Sequence, residues 1–313
     1  MKAVVIRRYG SPEVLQYEDV EQPKIKPSQL LVKVHASTVN PIDWKIRKGM
    51  LRLITGNKFP IILGFDLSGE VVEVGSGVTR FKPGDQVYGA VGLPGGAYAE
   101  FAAVPEKSAA PKPTNMTHEE AAAVTGAALT VLQALQDQGK IQPGQTVLIN
   151  GASGGVGSFA VQIAKALGAD VTAVCSTKNL ELVKSLGANR LIDYTQQDFT
   201  QDTAQYDIIF DAVGKQSFSS CKAVLKPKGV YVTTLPTPDN VVQSALTALI
   251  PAKKAKFVFE SHKSQDLVYL KDLIEAGKIR VVIDRTYPLQ ELAAAHTYSE
   301  TERVIGKIAI AIA

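Results

Sequence analysis

Thr146-Val147-Leu148-Ile149-Asn150-Gly151-Ala152-Ser153-Gly154-Gly155-Val156-Gly157 is a β-prone apolar run that ends in glycines and opens into a helical pattern from Phe159 to Leu167. A strand that passes through glycines into a helix leaves backbone N–H groups unpaired at the positive end of the helix dipole, where a pyrophosphate can satisfy them. In the usual three-glycine dinucleotide fingerprint the places fall on Ala152, Gly154 and Gly157, so the first glycine is replaced by alanine. Val156, Ala160, Ile163, Ala164 and Leu167 recur at helical spacing, Gly168 supplies a stop, and Val171-Thr172-Ala173-Val174 reads as a second strand. The unit of strand, glycine turn, helix and strand is complete; a glycine turn without a ligand is the bland alternative.

The residues after the second strand bear on which dinucleotide is held. A site for NAD places Asp or Glu about twenty residues after the glycines, on the ribose hydroxyls. This chain has Cys175-Ser176-Thr177-Lys178-Asn179 there. Hydroxyls and a lysine suit a 2′-phosphate that a carboxylate would repel, which favours NADPH; a merely solvated Lys178 is the other reading. Asp170 stands at the start of its strand, away from the carboxyl end.

Outward from this unit, the first hundred or so residues are short β-prone runs (Ala3 to Arg7, Leu30 to Ala36, Glu70 to Val74, Gln86 to Tyr88, Tyr98 to Ala103) punctuated by Pro and Gly, as in a compact β-barrel. From His118 the pattern turns helical, and from Thr146 strands alternate with helices through Leu191-Ile192, Asp207 to Ala212, Gly229 to Thr234 and Lys256 to Phe259. A helix from Gln265 to Ala276, a strand from Val281 to Tyr287, a helix from Leu289 to Tyr298 and a run from Lys307 to Ile312 are expected to return to the first domain. The expected class is α/β: a doubly wound parallel sheet over residues 118–264, and a β-rich domain over residues 1–117 completed by 265–313.

Composition excludes several classes. The 313 residues are 45% hydrophobic and 20% charged, which suits a soluble two-domain protein. No apolar run nears the roughly twenty residues of a membrane span, and Met1-Lys2-Ala3-Val4-Val5-Ile6 reads as a strand and not a leader, so a cytoplasmic location is expected. A net charge of +4 with scattered lysines gives no nucleic-acid footprint. Cys175 and Cys221 read as reduced core thiols, and four dispersed histidines suggest no metal.

Asn40-Pro41-Ile42-Asp43-Trp44-Lys45, Gly64-Phe65-Asp66, Gly69-Glu70-Val71, Val74-Gly75-Ser76-Gly77-Val78, Phe81-Lys82-Pro83-Gly84-Asp85-Gln86-Val87, Ala152 to Gly157, Glu181 to Ala188, Asp193-Tyr194 and Gly306-Lys307-Ile308 together resemble the zinc-free medium-chain dehydrogenases/reductases. Within them the chain is most similar to the quinone oxidoreductase branch and its enone reductases of the chloroplast-envelope type. The resemblance runs over nearly the whole chain. It implies a GroES-like catalytic domain beside the Rossmann-type domain. Zinc-dependent members carry cysteine at about Pro41 and Gly-His-Glu where this chain has Gly64-Phe65-Asp66, so no metal is expected.

The implied chemistry is NADPH-dependent reduction of the carbon–carbon double bond of an α,β-unsaturated carbonyl. The resemblance places Asn40 and Lys45 at the nicotinamide end, with Lys45 holding the cofactor or donating to the enolate oxygen. A turn-forming Asn40 and a loop-surface Lys45 are the plainer readings. It assigns Ser153, Gly154, Gly155, Val156 and Gly157 to the pyrophosphate, Ser176, Thr177, Lys178 and Asn179 to the 2′-phosphate, and Tyr194 to the adenosine. Thr130, Val213, Gly214, Thr234, Leu235 and Lys307 complete the implied cofactor set. An NADPH:quinone oxidoreductase is the enzymatic alternative, and a catalytically silent NADPH-binding sensor or structural protein the alternative of another class. Relatives imply a homodimer through the Lys256 to Phe259 edge.

Overall fold

The computed structural model describes residues 1–248 and 250–312. Its contacts divide the chain into two compact units: Met1–Gly126 with His262–Glu275 and Val281–Ala313, and Ala127–Ser261 with Ala276–Arg280.

The second unit is built on a six-stranded, all-parallel sheet in the order Arg190–Asp193, Asp170–Cys175, Thr146–Asn150, Tyr206–Asp211, Leu225–Thr233 and Lys254–Phe257. This is the doubly wound Rossmann order, which reverses beside Thr146–Asn150 and so places that strand's glycine turn at the switch point where such sheets bind ligands. Val147, Leu148 and Ile149 are fully buried, as expected of a central parallel strand covered on both faces. Helix Gly155–Ala166 buries Phe159, Ala160, Ile163 and Ala164 and packs on the strands either side of it. Leu148, Val174, Ile209, Phe218 and Tyr231 sit in one core cluster of this unit.

The first unit contains a mostly antiparallel sheet in the order Ile283–Pro288, Lys307–Ala311, Gln29–Val39, Asp66–Val74, Gln86–Ala90 and Ala109–Pro111, with Phe101–Pro105 also paired to Gln29–Val39. A smaller sheet joins Leu15–Asp19, Lys2–Ile6 and Ile61–Ile62. The C-terminal strand Lys307–Ala311 therefore belongs to the same sheet as the N-terminal strands, and Ile308 and Ile310 share a core with Val4, Ile6 and Ile46.

Local boundaries differ from the sequence reading where tertiary contacts intervene. The edge strand is Lys254–Phe257, two residues earlier than expected, because pairing with Leu225–Thr233 ends there and Phe259 is left exposed. The segment after Pro288 opens as a 3-10 turn, Leu289–Glu291, before becoming helix Leu292–Glu300. Helix His118–Leu132 continues through a π-helical stretch, Gln133–Gln138.

Candidate active site and dinucleotide cradle

In the second unit the glycine turn shows a division of labour. Gly151 has a φ of +80°, and a Cβ there would fall 2.3 Å from Val213 Cγ2. At Gly157 a Cβ would meet Gly151 O at 2.0 Å, so both glycines are demanded by the fold itself. Gly154 differs: its φ of −81° is ordinary, and an added Cβ would meet only Gly151 O, at 3.5 Å. It is the glycine whose missing side chain keeps the mouth of the turn open.

The same geometry corrects the fingerprint. The tight turn is made by Gly151, not by the residue expected to carry the first glycine. Ala152 is fully buried, with its N–H donating to Val174 O at 2.9 Å, and a methyl group is accommodated there. Gly154 caps helix Gly155–Ala166, whose first-turn N–H groups have no acceptor within the helix. Ser153, Gly155 and Val156 are half-buried along this turn, and Gly157 is buried.

Asn179 is buried and its Nδ2 donates to Ser153 Oγ at 2.9 Å, which ties the second-strand loop to the glycine turn. Ser176 is half-buried, whereas Thr177 and Lys178 are exposed. Thr177 Oγ1 donates to Asp193, whose carboxylate also accepts from Thr195 N at 2.9 Å and Thr195 Oγ1 at 2.7 Å. Those hydroxyl and amide donors, Thr177 first, hold the Asp193 carboxyl below its usual range. Tyr194 is 54% exposed at the end of that strand.

The loop after the next strand is organised by Asp211, which is fully buried. Its Oδ1 accepts from Asn150 Nδ2 at 2.9 Å, Val213 N at 3.2 Å and Gly214 N at 3.0 Å; its Oδ2 accepts from Gln216 N at 2.9 Å and Tyr231 Oη at 3.0 Å. Gly214 has a φ of +68°, and a Cβ there would lie 2.4 Å from Leu235 Cδ1. Thr234 Oγ1 donates to Ala212 O at 3.3 Å. The structure thus gathers Gly151, Val213, Gly214, Thr234 and Leu235 at the carboxyl ends of three neighbouring strands. Thr130 stands apart from this group, donating to Glu260 Oε2 at 2.9 Å.

Asn40, Lys45 and Lys307 lie in the first unit. Lys45 is on helix Pro41–Arg47 and not in a loop; Asn40 caps that helix, and its N–H donates to Asp43 Oδ2 at 2.7 Å. Lys45 is half-buried, its Nζ 5.5 Å from the Trp44 ring centroid. Asp43 is fully buried and also accepts from Gly64 N at 3.2 Å; burial pushes its carboxyl up to about 7.

Asp66, which stands at the end of the Gly64-Phe65-Asp66 stretch, is also buried. Its Oδ2 accepts from Thr38 Oγ1 at 2.7 Å and Asn40 Nδ2 at 2.8 Å, with Lys307 Nζ 3.6 Å away. Its Oδ1 accepts from Gly126 N at 3.1 Å. Lys307 Nζ donates to Asn40 Oδ1 at 2.6 Å. Asp66, Asp43 and Asp211 were not singled out from sequence as site residues. The signals were present in the Gly64-Phe65-Asp66 and Asp211-Ala212-Val213-Gly214 stretches, but nothing local shows that these carboxylates are buried.

Two dispersed histidines do meet: the His35 and His118 rings are 4.6 Å apart, and His118 Nδ1 lies 2.8 Å from Ser68 Oγ. Burial lowers the His118 imidazole to about 4. Among the described residues, no group of three or more His, Cys, Asp and Glu side chains is placed to hold a metal ion. None of their helices is long and apolar enough to cross a membrane.

Residues 26–114 match the family described as alcohol dehydrogenase GroES-like domain, and residues 186–310 match that described as zinc-binding dehydrogenase. The chain is 36% identical to a chloroplast envelope quinone oxidoreductase homolog of Arabidopsis thaliana, over 99% of this chain and 98% of that protein. It is 38% identical to a 2-methylene-furan-3-one reductase of Solanum lycopersicum, over 99% of this chain and 79% of that protein. The solved structure of the quinone oxidoreductase from Coxiella burnetii superposes with a TM-score of 0.92 at 34% identity, covering 100% of this chain and 99% of that one. The chain is an oxidoreductase of the medium-chain dehydrogenase/reductase superfamily, grouped with its quinone oxidoreductase homologues and built for a nicotinamide dinucleotide.

Proposed function

We propose that this protein reduces the carbon–carbon double bond of α,β-unsaturated ketones or aldehydes with NADPH and without a metal ion. The observation that carries the reading is Asp66. Where zinc-dependent members of the superfamily present cysteine and Gly-His-Glu, this chain has Pro41, Phe65 in the histidine's place, and a buried Asp66 carboxylate whose oxygens already accept from Thr38, Asn40 and Gly126 N–H, with the Lys307 ammonium beside it. A carboxylate so occupied has little capacity left for a cation, and alcohol oxidation would lack Lewis-acid support.

The glycine turn suits a pyrophosphate on its own geometry, since the open mouth at Gly154 lies at the N-terminus of a helix whose first N–H groups lack intrahelical acceptors. Ser153, Gly154, Gly155, Val156 and Gly157 would hold the pyrophosphate, and Ser176, Thr177, Lys178 and Asn179 the 2′-phosphate. Tyr194, Thr130, Val213, Gly214, Thr234 and Leu235 are read as further carrier contacts, with Lys307 assigned to the same end as Asn40. When bound, the reduced nicotinamide would supply a hydride to the β-carbon, and the α-carbon of the resulting enolate would then take a proton from water. Lys45 donates a hydrogen bond to the carbonyl oxygen of the substrate as negative charge develops there, and Asn40 orients the reactants. The tomato relative, named for an enone, is the reason for preferring this acceptor to a quinone.

The test is NADPH oxidation by the purified protein with a panel of short enones and of quinones. Turnover of enones supports the reading. Turnover of quinones alone replaces it with the quinone reductase, and carrier binding without turnover of either replaces it with a sensor.

A further inference from the structure

We infer that Asp66 and Lys307 are positioning residues that clamp the Asn40 carboxamide from both ends and fix which way it faces. The inference rests on the reading above for the role of Asn40, but the clamp itself is independent of it. An asparagine carboxamide has a donor end and an acceptor end of nearly the same shape, and left alone it can turn over. Here the two ends are engaged by groups of opposite kind. Nδ2 donates to Asp66 Oδ2 at 2.8 Å, and Oδ1 accepts from Lys307 Nζ at 2.6 Å. A turned amide would set its oxygen against a carboxylate and its NH2 against an ammonium.

Both clamping groups are themselves buried. Asp66 and Lys307 are 1% and 4% exposed, and Asp66 is further held by Thr38 Oγ1 and Gly126 N. Asn40 is also fixed through its backbone, as the cap of the helix that carries Lys45, with Asp43 Oδ2 on its N–H. The donor end has a further contact, Nδ2 lying 3.4 Å from Thr38 Oγ1, so Thr38 touches both Asp66 and the carboxamide that Asp66 holds. Lys307 thereby acts through Asn40, and need not itself touch a ligand.

A double-mutant cycle tests the clamp. Lys307→Met is expected to lower kcat at least tenfold with whichever acceptor the wild type reduces, with the KM for NADPH changed less than threefold. In the presence of Asn40→Ala, the same substitution is expected to add less than twofold. If Lys307→Met does not fold, Thr38→Val, which removes one donor from Asp66 at nearly constant volume, takes its place in the cycle. The second readout needs neither carrier nor turnover: the Asn40 side-chain NH2 signals in a 15N correlation spectrum, assigned by their loss in Asn40→Ala, should show slowed hydrogen exchange that is lost in either clamp variant. Multiplicative losses of kcat in the cycle, or exchange as fast in the wild type as in the variants, would overturn the clamp. A wild type that reduces no acceptor sinks the functional reading alone, and the exchange experiment then decides the clamp by itself.

Discussion

Lys45 stands on helix Pro41–Arg47 with its ammonium over the Trp44 ring, and Lys48 approaches the same ring at 5.0 Å. A surface lysine without a role would be replaceable. Lys45→Ala should lower kcat with enones on the order of 100-fold in a folded protein, the size expected when a positioned donor is lost; unchanged turnover would remove it from the mechanism. Lys178 is exposed at the rim next to Ser176. Lys178→Glu should raise the KM for NADPH by about 10-fold or more, as expected for a lost charge-assisted contact, and that for NADH far less. Equal effects would count against the 2′-phosphate assignment. Asp43 supplies a third prediction. Its carboxyl ionises near pH 4 in the unfolded chain but only at about 7 in the buried site, so the folded state holds the proton longer. Its contribution to stability is therefore full below pH 4 and is lost as pH rises to 7, by no more than about 4 kcal/mol. Urea unfolding of the wild type and Asp43→Asn at intervals between pH 4 and 8 should show a stability difference that shrinks for the wild type across this window. A difference independent of pH would contradict it.

At the scale of elements, the turn between strand Thr146–Asn150 and helix Gly155–Ala166 shows why a sequence motif can be legible while the work of each of its residues is not: Gly154 and Gly157 keep their places, and the tight turn falls on Gly151. The apolar run, the glycines and the helical spacing are local features, and each reads directly from composition and period. Which glycine does which work depends on what each would touch, and those neighbours are Gly151 O and a side chain from a loop some sixty positions further on. The pair Gly154→Ala and Gly157→Ala separates the two roles. Gly154→Ala, with ordinary φ and room for a methyl, should change unfolding free energy by less than about 1 kcal/mol while weakening NADPH binding. Gly157→Ala, with its methyl forced on a backbone carbonyl, should cost about 2 kcal/mol or more whether or not carrier is present. Thermal unfolding and NADPH titration of both variants decide this; a Gly157→Ala protein as stable as the wild type would refute the steric argument.

At the scale of the molecule, the first unit is discontinuous in sequence: its sheet needs Lys307–Ala311 between Gln29–Val39 and Ile283–Pro288. A chain ending after Ser261 would lose that pairing, the buried side chains of Leu289, Leu292, Ile308 and Ile310, and the Lys307 partner of Asp66. It should fail to give a protease-resistant first unit and should aggregate through the uncovered strand edge; a soluble, resistant fragment covering residues 1–126 would contradict this. The sequence by itself determined the class, the Rossmann unit and the glycine turn, because strands, helices and turns are specified by residues a few positions apart and report themselves through period and turn chemistry. Only the tertiary structure decided that Asp66, Asp43 and Asp211 are buried and what they hold. Asn40 meets Asp66 across 26 positions and Lys307 across 267. Such meetings are created when β-strands far apart in the chain pair and exclude water. No local pattern encodes them, because the energy of a buried polar group depends on the partners that folding brings to it.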